Sequence, residues 1–221
     1  MSVTPTPFTL SVPDDQITDL KARLDLTRFP DQAPGAPWAY GTDVDWMKDL
    51  VSYWRDRFDW RAAETALNAL PQYTVPLHDI DVHFLHVPGK GPGKGPTPLL
   101  LCHGWPGSVF EFLDLIPRLT DPARFGGDAA DAVTVIAPSL PGYTLSFRPG
   151  QKRFGAVEMA DCLIDLMTEV LGYDRFACQG GDWGSFVTSR IAHVVPERTI
   201  GLHINLMPLR RDPSIVSDPT P

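Results

Sequence analysis

The chain has 221 residues, enough to bury a sizeable core in one domain with an extension. Its 19 Lys and Arg against 27 Asp and Glu give a formal net charge of -8, and the absence of any basic run argues against nucleic-acid or other polyanionic partners. Residues 1–10 lack a basic segment leading into an apolar core and no later apolar run could span a bilayer, so a soluble, cytoplasmic protein without a membrane span is expected.

In chain order, Ile17, Leu20 and Leu24 recur at helical spacing after Pro13 and predict a helix over 14–24. Prolines and glycines around Trp38 and Tyr40 make 31–41 an irregular connection. Trp46, Leu50, Val51, Trp54 and Phe58 then share one face of a helix over 43–58 capped by Thr42, and a third helix over 60–70 has Asp59 as its cap. The aromatic stripe could be read as a binding box, but packing in a core accounts for it more simply. Residues 1–71 are thus expected to form a helical arm that packs on another surface.

Beyond the arm the period changes. Residues 73–77 and 80–87 read as paired strands, with Ile80, Val82 and Phe84 on one face. His78, His83 and His86 invite a metal site, but His83 and His86 point to opposite faces and no fourth ligand is evident, so no metal and no cofactor are expected. The Pro/Gly/Lys connector over 88–98 has a composition that prevents packing, and without Gly-Lys-Ser/Thr ahead of a helix it is not a phosphate loop.

From there strands and helices alternate: a strand at 99–102, a helix over 109–119 opened by a Ser108/Glu111 capping box, a strand at 133–137, and a helix over 156–171 closed by Gly172. A strand at 175–178, a helix over 186–194 and a buried strand at 199–206 follow, before a polar, proline-rich tail over 208–221. Continuous apolar strands alternating with amphipathic helices predict an α/β fold over 72–207, its mostly parallel sheet covered by helices on both faces. Cys102, Cys162 and Cys178 are odd in number and lie in apolar segments, as buried reduced thiols do. Cys102 with His103 does not make a nucleophilic pair, because adjacent strand residues face opposite ways.

The strand ends carry the unusual sequence. After 175–178 comes Gln179-Gly180-Gly181-Asp182-Trp183-Gly184-Ser185, a sharp strand-to-helix turn with a carboxylate at its apex and small residues on both sides. Asp182 could simply cap the next helix. Yet His103-Gly104-Trp105-Pro106-Gly107-Ser108 and Pro138-Ser139-Leu140-Pro141-Gly142-Tyr143 follow two other strands of the same sheet, and ligands bind beyond the carboxyl ends of such strands. Three glycine-containing loops on one edge favour a site.

His103-Gly104-Trp105-Pro106, Gly142-Tyr143-Thr144-Leu145-Ser146 and Gly181-Asp182-Trp183-Gly184-Ser185 together resemble the epoxide hydrolases of the α/β-hydrolase superfamily, in particular the microsomal-type branch with a helical N-terminal extension. The resemblance spans nearly the whole chain. It implies an α/β-hydrolase fold, here truncated after its sixth strand, and conversion of an epoxide to a vicinal diol through an ester on Asp182. Carried over residue by residue, Asp182 matches the nucleophile and the backbone N–H groups of Trp105 and Trp183 match the oxyanion hole. The indoles of Trp105 and Trp183, with Tyr143, are candidates for binding a small hydrophobic epoxide. His103 matches a structural residue beneath the oxyanion loop. His193 and His203 read as core or surface histidines.

The family pattern continues with a cap that supplies tyrosines and with a His base and its acidic partner. None of these is evident here, so a C-terminal partner chain, or self-association, is expected to complete the site. A haloalkane dehalogenase-like hydrolase shares the Asp-Trp-Gly sequence, and a non-catalytic remnant or a subunit of a split hydrolase would keep the fold without the reaction.

Overall fold

The computed structural model describes residues 3–92 and 96–207; part of the connector, 93–95, and the expected tail over 208–221 lie outside the described residues. The chain divides into two compact units, Leu10–Asn68 and the remainder.

The smaller unit holds three helices, α1 (Asp14–Asp25), α2 (Val44–Asp56) and α3 (Trp60–Asn68). The cap of α2 is Asp43, whose carboxylate accepts from the Trp46 N–H at 2.9 Å, and not the expected Thr42. Asp59 caps α3 as expected, accepting from the Ala62 N–H at 3.0 Å. Glu64 ties this unit together by accepting from the Val12 N–H and the Trp60 indole, and with Arg61 it holds its carboxyl below the usual range. The aromatic stripe does not enter a core: neither α1 nor α2 has a buried residue, and Trp46, Tyr53 and Trp54 are exposed. Helical spacing selects a face, but burying that face takes a second surface, which spacing alone does not provide.

The larger unit is built on strands β1 (Thr6–Pro7), β2 (Gln72–Leu77), β3 (Ile80–Val87), β4 (Thr97–Cys102), β5 (Val133–Pro138), β6 (Phe176–Gly180) and β7 (Thr199–Ile204). They form one mixed sheet in the order β1-β2-β3-β5-β4-β6-β7. The pairings from β1 to β5 are antiparallel, and those joining β5, β4, β6 and β7 are parallel. A two-residue turn joins β2 to β3, with His78 and Asp79 at φ 51° and 68°, the left-handed pair that a tight hairpin requires. Among the parallel strands the order reverses at β4, which places a crevice beyond the carboxyl ends of β5, β4 and β6.

The helices of this unit are α4 (Leu115–Thr120), α5 (Ala156–Asp165) and α6 (Trp183–Val194). Leu100, Cys102, Ile136 and Cys178 join a buried cluster with Met159, Leu163, Val187 and Ile191 of α5 and α6. Strand alternation leaves the buried Leu101 and Val135 for the other face of the sheet. The thiols lie in this interior, where burial pushes Cys162 and Cys178 up to about 12 and Cys102 well above its usual value.

Three elements depart from expectation. The helix expected over 109–119 is a 3-10 turn at Val109–Phe112, opened by the Ser108/Glu111 capping box, and then α4. Pro117 explains the break, because it lacks an N–H and its ring clashes with the carbonyl four residues back. The helix begun by α5 widens into a π-turn at Leu166–Val170 before Gly172, at φ 70°, ends it. The last strand, expected to be buried, is exposed at Ile200 and Leu202, and β7 pairs only with β6 among the described strands. The start of the connector also packs: Lys90 donates to the Thr120 carbonyl at 2.7 Å, and Gly89 donates to the Thr134 hydroxyl at 3.1 Å.

Candidate active site

The turn between β6 and α6 puts Asp182 at φ 50° and ψ -121°, a left-handed backbone that a side chain rarely adopts. Its neighbours explain how the turn closes. A Cβ on Gly180 would run into the Gly184 carbonyl, and one on Gly184 would run into the Cys102 carbonyl of β4. Both positions therefore need glycine, and the strand and helix meet almost backbone to backbone. Ser185 secures the turn by donating its hydroxyl to the Gly180 carbonyl at 2.8 Å, and its N–H bonds the Asp182 carbonyl at 3.0 Å. The Asp182 side chain makes none of the bonds to the second or third N–H of α6 by which a cap secures a helix, so the simple capping role does not hold.

The carboxylate instead meets the loop after β4. The Trp105 N–H donates to Asp182 Oδ1 at 2.8 Å. That bond, followed by one from the Trp183 N–H, holds the Asp182 carboxyl below the ordinary carboxylate value. Gly104 lets the two loops approach, since a Cβ there would lie 2.5 Å from Asp182 Cβ and 2.7 Å from Oδ1. The loop after β4 thus meets the elbow at the Asp182 carboxylate, with the Trp105 donor fixed on Oδ1 before any ligand arrives.

His103 lies beneath this loop with both ring nitrogens occupied. The Leu140 N–H donates to Nε2 at 3.0 Å, so the ring proton sits on Nδ1 and is donated to the Gly104 carbonyl at 2.9 Å. Burial lowers its pKa, outweighing the hydrogen bond to Gly104. A buried imidazole committed in this way links the loops after β4 and β5 and has no nitrogen left to take a proton from water. The loop after β5 rests on a second buried histidine. His83 pairs with the Ser139 hydroxyl at 2.9 Å and with Gln72 at 3.0 Å, while its N–H donates to Ser146 Oγ at 2.9 Å. Burial drives its pKa down to about 4.

The three histidines weighed as metal ligands have separate partners: His78 meets Asp165 and His86 meets the Tyr173 hydroxyl. Among the described residues no three His, Cys, Asp or Glu side chains come together to hold a metal ion. His193 and His203 are exposed, on α6 and β7, and line neither cavity beside Asp182.

Those cavities flank the elbow. One, of about 390 Å³, is bounded by Tyr143, Phe147, Phe154, Met159 and Trp183, with Lys152 and Arg153 also on its wall. The other, of about 370 Å³, contains Asp182 itself with Trp105, Glu111, Gly181 and Asn205. Tyr143 stands edge-on to His103, ring centroids 5.5 Å apart, near enough to Asp182 for that charge to add to burial in raising its pKa. Asn205 was not anticipated. Its amide packs against Gly181, where a Cβ would lie 2.6 Å from Oδ1, and no motif in the sequence marks it.

Comparison with known proteins finds matches along nearly the whole described chain. The family model "Epoxide hydrolase N terminus" matches residues 5–112, and "alpha/beta hydrolase fold" matches residues 97–203. The chain belongs to the epoxide hydrolase family. An epoxide hydrolase relative from Stigmatella aurantiaca (strain DW4/3-1) is 46% identical over 200 residues, covering 90% of this chain and 45% of that protein. Epoxide hydrolase 1 of Oryctolagus cuniculus is 39% identical over 208 residues, 93% of this chain and 46% of its own length. Juvenile hormone epoxide hydrolase from the silkworm Bombyx mori, a solved structure, superposes with a TM-score of 0.80 at 33% identity, over 93% of this chain and 53% of that one. This epoxide hydrolase family member therefore spans about half the length of the curated relatives it matches. None of its helices among the described residues is long and apolar enough to cross a membrane.

Proposed function

We propose that this chain carries the nucleophile and oxyanion hole of an epoxide hydrolase, with Asp182 attacking the epoxide. The observation that carries the reading is the fixed Trp105 N–H bond to Asp182 Oδ1 at the apex of a strained elbow. With Oδ1 held, Oδ2 attacks a ring carbon, that carbon–oxygen bond breaks, and the ring oxygen leaves as an alkoxide that takes up a proton. The result is a hydroxyalkyl ester on Asp182.

Water then attacks the ester carbonyl. The tetrahedral oxyanion forms on Oδ1, which already accepts from the Trp105 N–H, and the Trp183 N–H is the second donor of the proposed oxyanion hole, so stabilisation needs little reorganisation. Collapse returns the carboxylate and releases a vicinal diol. The side chains of Trp105, Trp183 and Tyr143 provide apolar walls for a small hydrophobic epoxide. No described histidine lines either cavity, so the base that activates the water and the groups that protonate the ring oxygen come from a C-terminal segment or partner chain, or from a second copy. Three buried free thiols are consistent with a reducing, cytoplasmic setting.

The test is chemical. Incubation with styrene oxide is expected to add one epoxide mass to the intact protein, located by peptide mapping to Asp182. An unlabelled, folded chain, or labelling that survives Asp182→Asn, would remove Asp182 from the reaction.

A further inference from the structure

The 390 Å³ cavity is large enough for a ligand and is apolar where it meets the elbow, through Trp183, Tyr143, Phe154 and Met159. Its remaining wall differs in character. Lys152 and Arg153 both contribute to it, in a chain whose net charge is -8. The Lys152 ammonium lies 5.8 Å from the Phe154 ring centroid, over the apolar floor, and only 3.7 Å from the largely exposed Asp79. Arg153 forms no ion pair among the described residues. Glu158, at the start of α5, accepts from the Gly155 N–H at 2.9 Å, and after its backbone hydrogen bonds the charges of Arg153 and Lys152 help hold its carboxyl below the usual value without an ion-pair contact.

An apolar slot that reaches the elbow at Trp183, next to Asp182 in sequence, and that carries two cations on its outer wall suits one class of substrate. We propose that this cavity binds the body of the epoxide substrate and that Arg153, assisted by Lys152, selects epoxides carrying an anionic group such as a carboxylate beyond an aryl or alkyl spacer. This rests on the assignment of Asp182 as nucleophile. Both cations reach solvent, so the preference is a screened electrostatic one: a few-fold in rate at low ionic strength, shrinking as salt shortens the Debye length.

The experiment compares labelling rates of the chain by styrene oxide and by its para-carboxylate, read by intact mass at low salt. The two probes differ in intrinsic reactivity, so the quantity read is their rate ratio in each protein. Arg153→Gln is expected to lower the carboxylate-to-neutral ratio about three-fold relative to wild type, Arg153→Lys to keep most of it, and added salt to reduce it more in wild type and Arg153→Lys than in Arg153→Gln. A ratio identical in wild type and Arg153→Gln, or insensitive to salt, overturns the proposal. Failure of both probes to label overturns the assignment of Asp182 instead, and this proposal with it.

Discussion

Gly184→Ala tests whether the elbow is built on backbone contact. The added methyl would enter the Cys102 carbonyl and lie 2.7 Å and 2.8 Å from Cys102 C and His103 O. These are backbone atoms at the end of β4, so no side chain can swing away. Overpacking of this kind costs about 1–3 kcal/mol, and a site walled by backbone belongs at the upper end. Gly184 is the second residue of α6, where alanine regains up to about 1 kcal/mol of helix propensity, leaving a net loss of about 2 kcal/mol. For a chain of this size that lowers Tm by roughly 4–8 °C. Gly201→Ala serves as the control, since a Cβ there meets nothing within 4 Å. Differential scanning fluorimetry of the three proteins reads the effect. A Gly184→Ala variant melting within about 1 °C of wild type would mean that helix and strand do not meet at this point.

Gly104→Ala should separate chemistry from folding: its Cβ presses on the Asp182 carboxylate, so epoxide labelling should fall by about ten-fold or more while Tm shifts by less than in Gly184→Ala. Labelling should also persist below pH ~4, where an ordinary aspartate is half protonated, because the Trp105 and Trp183 N–H groups lower the Asp182 pKa; a mass-spectrometric rate profile with its midpoint at the ordinary value would contradict the fixed donors. His83 is neutral in the fold down to about pH 4 but protonates near 6.5 when unfolded, so its contribution is complete above 6.5 and is lost as pH falls toward 4. The loss is on the order of 3 kcal/mol, and urea melts at pH 7 and pH 4.5 should show that His83→Gln flattens the dependence. His103→Ala leaves the Leu140 N–H and Gly104 carbonyl without their partner, costing about 2–4 kcal/mol; an unchanged urea midpoint would show that the imidazole does not join the two loops.

How much of this was legible in the sequence depends on whether the cause was local. Gly180, Gly184 and Asp182 declare an elbow because the requirement for small residues acts within five positions, and Ser108/Glu111 announces its capping box for the same reason. Pro117 was equally visible, and its effect on a helix over 109–119 is a local rule that the apolar periodicity masked. The π-turn at Leu166–Val170 and the exposure of β7 depend on neighbours far along the chain, which periodicity does not encode. Asn205 is the instructive omission. Its place beside Gly181 follows from β7 pairing with β6, whose partners lie 23 or 24 residues apart in sequence, and from nothing in its own neighbourhood.

The converging loops also explain why aspartate suits this apex. A serine there would turn an epoxide into an alkyl ether, with no carbonyl for water to attack, whereas an aspartyl ester keeps its carbonyl oxygen where Oδ1 began. In the proposed reaction the Trp105 N–H that lowers the Asp182 pKa in the resting state is also the donor that meets the oxyanion in the second step. In the resting state this donor draws on Oδ1, which in the proposed reaction leaves Oδ2 to attack. Through the ester it stays in place, and in the tetrahedral state it meets a fuller charge. In that proposal one hydrogen bond, set by Gly104 and by His103 beneath it, serves both halves of the reaction, and its bonding strengthens where the charge grows.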